Sequence, residues 1–268
     1  MLHSQTMKKA VYPVYQPIVN IVTGETSHYE ALARATYGSS SVFRRVENQV
    51  VGNASSFSDG SALELPDKGG DHADNHTSLI RLGESLGFIH LVDIAIIEHV
   101  FDSLKDRPNE IVAVNVSGMT INHMCNEFLS VVFKNADIIP QIIFEITETS
   151  YIHNHGMLDR FLMSVRLLGG RIALDDFGAG FCTIHMVERV MPEFVKLDGC
   201  IVNAIHKSGD CRAVGELARL VHQYGGRIIA EHIDSQQKSD LMLGIGIYLL
   251  QGFYVGEMIT SLPFTLAK

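Results

Sequence analysis

A chain of 268 residues, 46% hydrophobic and 19% charged, has the makeup of a globular protein with a large core, which excludes a disordered or fibrous one. A formal net charge of −9 disfavours nucleic-acid polymers and anionic membranes as partners, so an anionic ligand needs metal ions or local basic groups to offset the field. Cys125, Cys182, Cys200 and Cys211 form no CxxC pair, no apolar run reaches membrane-span length and the first residues lack a signal peptide's apolar stretch; these features predict a soluble cytoplasmic protein with reduced thiols.

In chain order, residues 1–10 read as an N-terminal extension. Apolar runs at 11–19 and 26–34 are separated by 20–25 alone, too short for a helical crossover, which predicts an antiparallel hairpin. Ser, Gly, Asn and Asp dominate 38–77 and predict a long loop insertion. Its Asp71, His72, Asp74 and His76 have metal-ligand chemistry, but a solvated acidic loop is the plainer reading. Beyond it, apolar runs at 111–116, 142–147, 171–175, 194–198, 227–230 and 247–253 read as strands. Amphipathic segments at 79–104, 122–135, 155–168, 183–190, 213–224 and 236–243 read as helices. Gly169-Gly170 and Gly225-Gly226 each close a helix just before the next strand. This alternation predicts parallel pairing, and eight strands in about 250 residues predict an α/β fold. It is a modified TIM (β/α)8 barrel over 11–260 with an irregular antiparallel first strand, ahead of a tail at 261–268.

In a barrel the carboxyl ends of the strands form one rim, where chemistry sits. That position holds Glu30, Asn115, Glu145, Asp175 with Asp176, Lys196, Glu231 and Gln251. Neighbouring strand residues point to opposite faces, so Asp175 and Asp176 converge only where the strand gives way to the loop carrying Gly178 and Gly180. Taken alone, the pair is as readily an Asp turn. Five carboxylates around one space repel unless cations offset them. Oxygen-only ligands favour Mg²⁺ or Mn²⁺, and the lack of HExxH or a joining cysteine disfavours a zinc protease. A site for two hard metals suits phosphoester hydrolysis. Lys196 either orients the attacking hydroxide and neutralises developing charge, or pairs with an acidic neighbour.

Tyr15-Gln-Pro-Ile-Val19, Tyr29-Glu-Ala-Leu-Ala-Arg34, Val114-Asn-Val-Ser117, Phe144-Glu-Ile-Thr-Glu148 and Leu174-Asp-Asp-Phe-Gly-Ala-Gly180 follow one another along the chain. Val195-Lys-Leu-Asp198, Ile229-Ala-Glu231 and Leu250-Gln-Gly-Phe253 complete the series. This ordered set resembles the EAL family of cyclic di-GMP phosphodiesterases over roughly residues 11–256. The resemblance implies hydrolysis of cyclic di-GMP to linear pGpG with two Mg²⁺ or Mn²⁺ ions, lowering a bacterial second messenger. It implies Glu30, Asn115, Glu145 and Asp175 as ligands of the first metal. Asp175 bridges to the second, Asp176 completes it, and Glu231 and Gln251 are outer ligands. Lys196 positions the attacking water, and Glu148 ties down the 175–180 loop; with Glu231 they make up the implied catalytic group. Gln16, Leu32, Arg34 and Asp198 are the implied substrate contacts, Arg34 for a phosphate oxygen and Gln16 for a guanine edge. A homodimer and a regulatory protein partner are further expectations.

The sequence departs from the family at His232-Ile233-Asp234, where Gly-Val-Glu is usual, and at Glu257-Met258, where Arg-Pro is usual. The 38–77 stretch is longer than the family's connection. These departures keep a second reading open, a module that binds the nucleotide or a protein without turnover. A metal-dependent hydrolase of another phosphoester is the third.

Overall fold

The computed structural model describes residues 2–36, 72–147, 151–179 and 182–263. Helix α1 (Leu2–Ala10) runs into β1 (Val11–Asn20), which turns back into β2 (Thr26–Ala35). The turn is fixed locally: Asn20 Oδ1 accepts the Val22 N–H at 3.0 Å, and Gly24 supplies a φ of +72°. Then come α2 (His72–Ser85), α3 (Ile89–Leu104), β3 (Val112–Ser117), α4 (Gly118–Lys134) and β4 (Ile142–Thr147). The chain continues through α5 (His155–Leu167), β5 (Arg171–Phe177), α6 (Ile184–Val190), β6 (Phe194–Leu197) and α7 (Gly199–Ser208). It ends with α8 (Arg212–Gln223), β7 (Arg227–Ala230), α9 (Gln236–Gly244) and β8 (Leu249–Gln251).

The eight strands close into a barrel in sequence order. β1 runs antiparallel to both β2 and β8, and every other neighbouring pair is parallel. The expected barrel with one reversed strand is therefore the observed one. Among the described residues no helix is long and apolar enough to cross a membrane.

Three local expectations are corrected. The segment 79–104 is two helices, because Gly87 takes a φ of +74° between α2 and α3. The first of these begins at His72, so the end of the predicted 38–77 loop is helical; residues 37–71 lie outside the described residues. Residues 199–208 form α7, and Asp198, read as the last residue of a strand, is its N-cap, accepting the Cys200 N–H at 2.7 Å.

Strand side chains alternate between two environments. Outward residues such as Val114, Phe144, Leu174, Val195 and Leu250 pack under the helices in the main core. Phe128, Phe144 and Phe161 meet there with ring centroids 5.8–6.2 Å apart. Inward residues Ile18, Ala113, Ile143, Ala173, Phe194, Ile229 and Leu249 form a separate apolar floor inside the barrel. His28, from β2, is buried against the floor with its ring 5.1 Å from Phe194. Burial first, then the nearby Arg171 and Lys196 charges, pull its pKa down from 6.5 to about 3, so the ring is neutral.

Candidate active site

One inward step from the floor, two residues along each strand, stand Gln16, Asn115, Glu145, Asp175, Lys196, Glu231 and Gln251, with Glu30 two residues past His28. The floor fixes the level at which these side chains meet. Lys196, 1% exposed, places Nζ 3.0 Å from Glu30 Oε2, 3.0 Å from Glu145 Oε2, 2.9 Å from Asp175 Oδ1 and 2.8 Å from Glu231 Oε1. Glu30 is oriented from both sides, accepting from Asn115 Nδ2 at 3.0 Å and from Gln251 Nε2 at 2.6 Å. Gln251 also donates to Gln16 Oε1 at 3.1 Å.

Asp175 and Asp176 converge through a break in the sheet. The register of β5 on β6 shifts between Leu174 and Phe177, and Asp176 takes a left-handed φ of +48°. A bulge of this kind turns successive side chains toward one side. Two carboxylate groups result, Glu30–Glu145–Asp175 and Asp175–Asp176–Glu231, each with ligand atoms within 4.8 Å of one another. Asp175 belongs to both.

Four buried oxygens around this space, Asn115 Oδ1, Glu145 Oε1, Asp175 Oδ1 and Gln251 Oε1, have no hydrogen-bond partner among the described residues. The short Lys196–Asp175 approach thus lacks hydrogen-bond geometry. Burial, which pushes Glu30 up, is outweighed by Lys196 and by hydrogen bonds from Gln251 and Asn115, which hold its carboxyl at about 2. Glu145 and Glu231 are pushed well above the usual carboxylate range, by burial first and then by repulsion from neighbouring carboxylates, with Lys196 opposing. Burial would lower Lys196, but Asp175, Glu145, Glu231 and Glu30 together raise it, so it is a permanent cation. Oxygen donors in excess of the one cation between them among the described residues match the demand of hard divalent metals.

The ring opens into a cavity of about 700 Å³, also lined by Gln16, Leu32, Arg34 and Asp93. Arg34 is buried; Nη1 donates to Ala33 O at 2.9 Å, Nη2 to Met258 Sδ at 3.3 Å, and Nε has no partner among the described residues. Two of the expected residues stand apart from this assembly. Asp198 does not line the cavity and caps α7 instead, and Glu148 lies outside the described residues.

Asp93 escaped the reading of the sequence. Its Oδ2 accepts the Ser117 N–H at 3.0 Å and the Thr120 hydroxyl at 2.5 Å, tying α3 to the end of the strand that carries Asn115. Burial pushes its pKa up to about 7 against those two hydrogen bonds. A lone acid inside the apolar run Leu91-Val-Asp-Ile-Ala95 was the available signal.

The β7 and β8 ends meet closely. Gly252 has a φ of +150°, and a Cβ there would fall 2.3 Å from Ile233 O and 2.4 Å from Ile233 N. Ile233 N–H donates to Gln251 O, and Tyr254 N–H to Ile233 O, both at 3.0 Å. His232, at a left-handed φ of +54°, lays its ring over Gly199, where a Cβ would sit 2.7 Å from the imidazole.

The EAL domain family model matches residues 63–258. The hairpin with Glu30-Ala31-Leu32 falls ahead of that stretch, cut off from it in sequence by 37–62. The cyclic di-GMP phosphodiesterase PdeF of Escherichia coli is 25% identical over 190 residues, 67% of this chain, and the chain spans only 25% of PdeF. Among solved structures, the Klebsiella pneumoniae BlrP1 complex with manganese and cyclic di-GMP superposes with a TM-score of 0.68 at 19% identity, covering 93% of this chain and 56% of that one. The Xanthomonas citri FimX EAL domain in complex with cyclic di-GMP gives 0.72 at 14% identity, covering 99% and 94%. Likeness at such identities establishes the barrel fold.

Proposed function

The chain belongs to the EAL domain family, and from that premise we propose that its rim site holds two divalent cations, Mg²⁺ or Mn²⁺, and hydrolyses one phosphodiester of cyclic di-GMP to linear pGpG. The observation that carries this reading is the pair of carboxylate groups sharing Asp175, beside four buried oxygens that lack a donor among the described residues. Glu30, Asn115, Glu145 and Asp175 would hold one ion, and Asp175 with Asp176 the other, with Glu231 and Gln251 completing the set. Bound there, the ions supply a water of lowered pKa and positive charge facing the phosphoryl oxygens.

The side chains do the rest. Lys196 keeps its protons and, from the centre of the ring, donates to the attacking oxygen and to developing negative charge. Arg34 presents to a phosphate oxygen an Nε–H without a partner among the described residues, from a position where water is largely excluded. Gln16 offers amide groups to a guanine edge, and Leu32 an apolar surface to a base. Asn115 and Gln251 hold the Glu30 carboxylate in one orientation before substrate arrives.

Incubating the purified chain with cyclic di-GMP and Mn²⁺ should give pGpG, and Glu30→Ala should lower the rate by about 10²-fold or more. Binding without product would sink the reading. That outcome defines the second reading, a nucleotide-binding module without turnover, which is favoured by the left-handed His232 directly after Glu231.

A further inference from the structure

We propose that Arg81 contacts the second phosphate of the bound dinucleotide and so gives the site its preference for a ligand with two phosphates over a simple phosphodiester. The inference rests on the phosphodiesterase reading of the same cavity and extends it to a lining residue outside the carboxylate ring.

Charge balance raises the need. The carboxylates of Glu30, Glu145, Asp175, Asp176 and Glu231, the Lys196 ammonium and two dications sum to zero formal charge. The metal end therefore carries no net positive charge to hold a second phosphate. Asp93 and Asp234 also line the cavity, Asp234 paired with Lys238 Nζ at 2.8 Å, and neither supplies positive charge. A cyclic dinucleotide carries its second phosphate on the far side of the macrocycle, where a cation must come from the protein.

Among the described residues three cationic side chains line the cavity: Lys196, Arg34 and Arg81. Lys196 is taken up by four carboxylates, and Arg34 is sunk in the wall with two of its nitrogens already engaged. Arg81 projects from α2, is exposed, and makes no hydrogen bond or ion pair with a described residue. Ile80, next to Arg81 on α2, and Ile89, which packs against Gly83 of the same helix, also line the cavity, so apolar surface for a base accompanies a guanidinium fork for a phosphate. A solvated surface arginine is the bland alternative, and the two differ in what substitution does to ligands of unequal charge.

The test compares wild type, Arg81→Gln and Arg81→Lys on cyclic di-GMP and on bis(p-nitrophenyl) phosphate, a diester with one phosphate, both with Mn²⁺. Arg81→Gln should lower kcat/KM for cyclic di-GMP about tenfold and leave bis(p-nitrophenyl) phosphate hydrolysis and the melting temperature unchanged. Arg81→Lys should recover part of the loss. Equal loss on both substrates, or no loss on either, overturns the proposal. If wild type binds cyclic di-GMP but makes no pGpG, the phosphodiesterase reading fails alone. The Kd then decides Arg81: a tenfold weaker Kd in Arg81→Gln supports the contact, and an unchanged one overturns it.

Discussion

The floor of the barrel and the ring above it are two residues apart on the same strands, yet they pull the stability of the fold in opposite directions. Burying the floor's aliphatic and aromatic side chains stabilises the barrel by roughly 1.5–3 kcal/mol for each large one. The ring buries several carboxylates around one ammonium, and desolvation of that kind can exceed the Coulombic gain. Charge that destabilises the fold is tolerated because an apolar layer directly beneath it holds the strands in register. The difference teaches that one layer of the barrel supplies its stability while the layer above it gathers its charge.

Lys196→Met should break the contrast most severely. It leaves the carboxylates without their cation, so metal-free stability at neutral pH should drop by about 3–5 kcal/mol. Mn²⁺ should restore most of that in a thermal melt, while pGpG formation falls by about 10²-fold or more. An unchanged metal-free melt would mean the ring does not depend on its lysine. Phe194→Ala, in the floor, should also cost about 3–5 kcal/mol, but Mn²⁺ should not rescue it. Rescue by metal in both variants would dissolve the distinction between the layers.

His28 and Asp93 sharpen it on a finer scale. The folded pKa of His28 is depressed from 6.5 to about 3, so its contribution is fully present above pH 6.5 and is lost as pH falls toward 3. His28→Leu should flatten the acid limb of the stability curve and add about 1–3 kcal/mol near pH 5. Asp93 titrates the other way. Its folded pKa is raised from 3.8 to about 7, so stability present below 3.8 is lost as pH rises through 7. Asp93→Asn keeps an oxygen for Ser117 and Thr120, and should raise the unfolding free energy at pH 8 by about 1 kcal/mol with little change at pH 4. A gain at both pH values would point to packing instead.

Much of this was legible in the sequence because barrel strands write their level into their pattern. Ala113-x-Asn115, Ile143-x-Glu145, Ala173-x-Asp175 and Ile229-x-Glu231 each pair a floor residue with a ring residue at the strand period. Reading polar ends of apolar runs therefore found the ring without any knowledge of depth. What it could not find was backbone exception. Asp176, Met191 and His232 are left-handed without being glycine, and nothing in their chemistry announces it. Asp198 was misplaced because an acid after Val195-Lys-Leu197 looks alike as a strand end or as the cap of the helix that follows. Asp93 was hidden in a helix whose partners arrive from a strand end more than twenty positions away.

Gly252 joins the two strand ends that carry Glu231 and Gln251. Glu231 and Gln251 reach the ring from adjacent strands whose ends touch through it, with Ile233 backbone filling the space a side chain would need. The smallest substitution, a single methyl group, must push one strand end off the other. Such a change would leave every ring residue in the gene and widen the ring all the same. For heredity the position has no neutral neighbours, and a homologue that keeps all the acids but loses this glycine should be read as a relic.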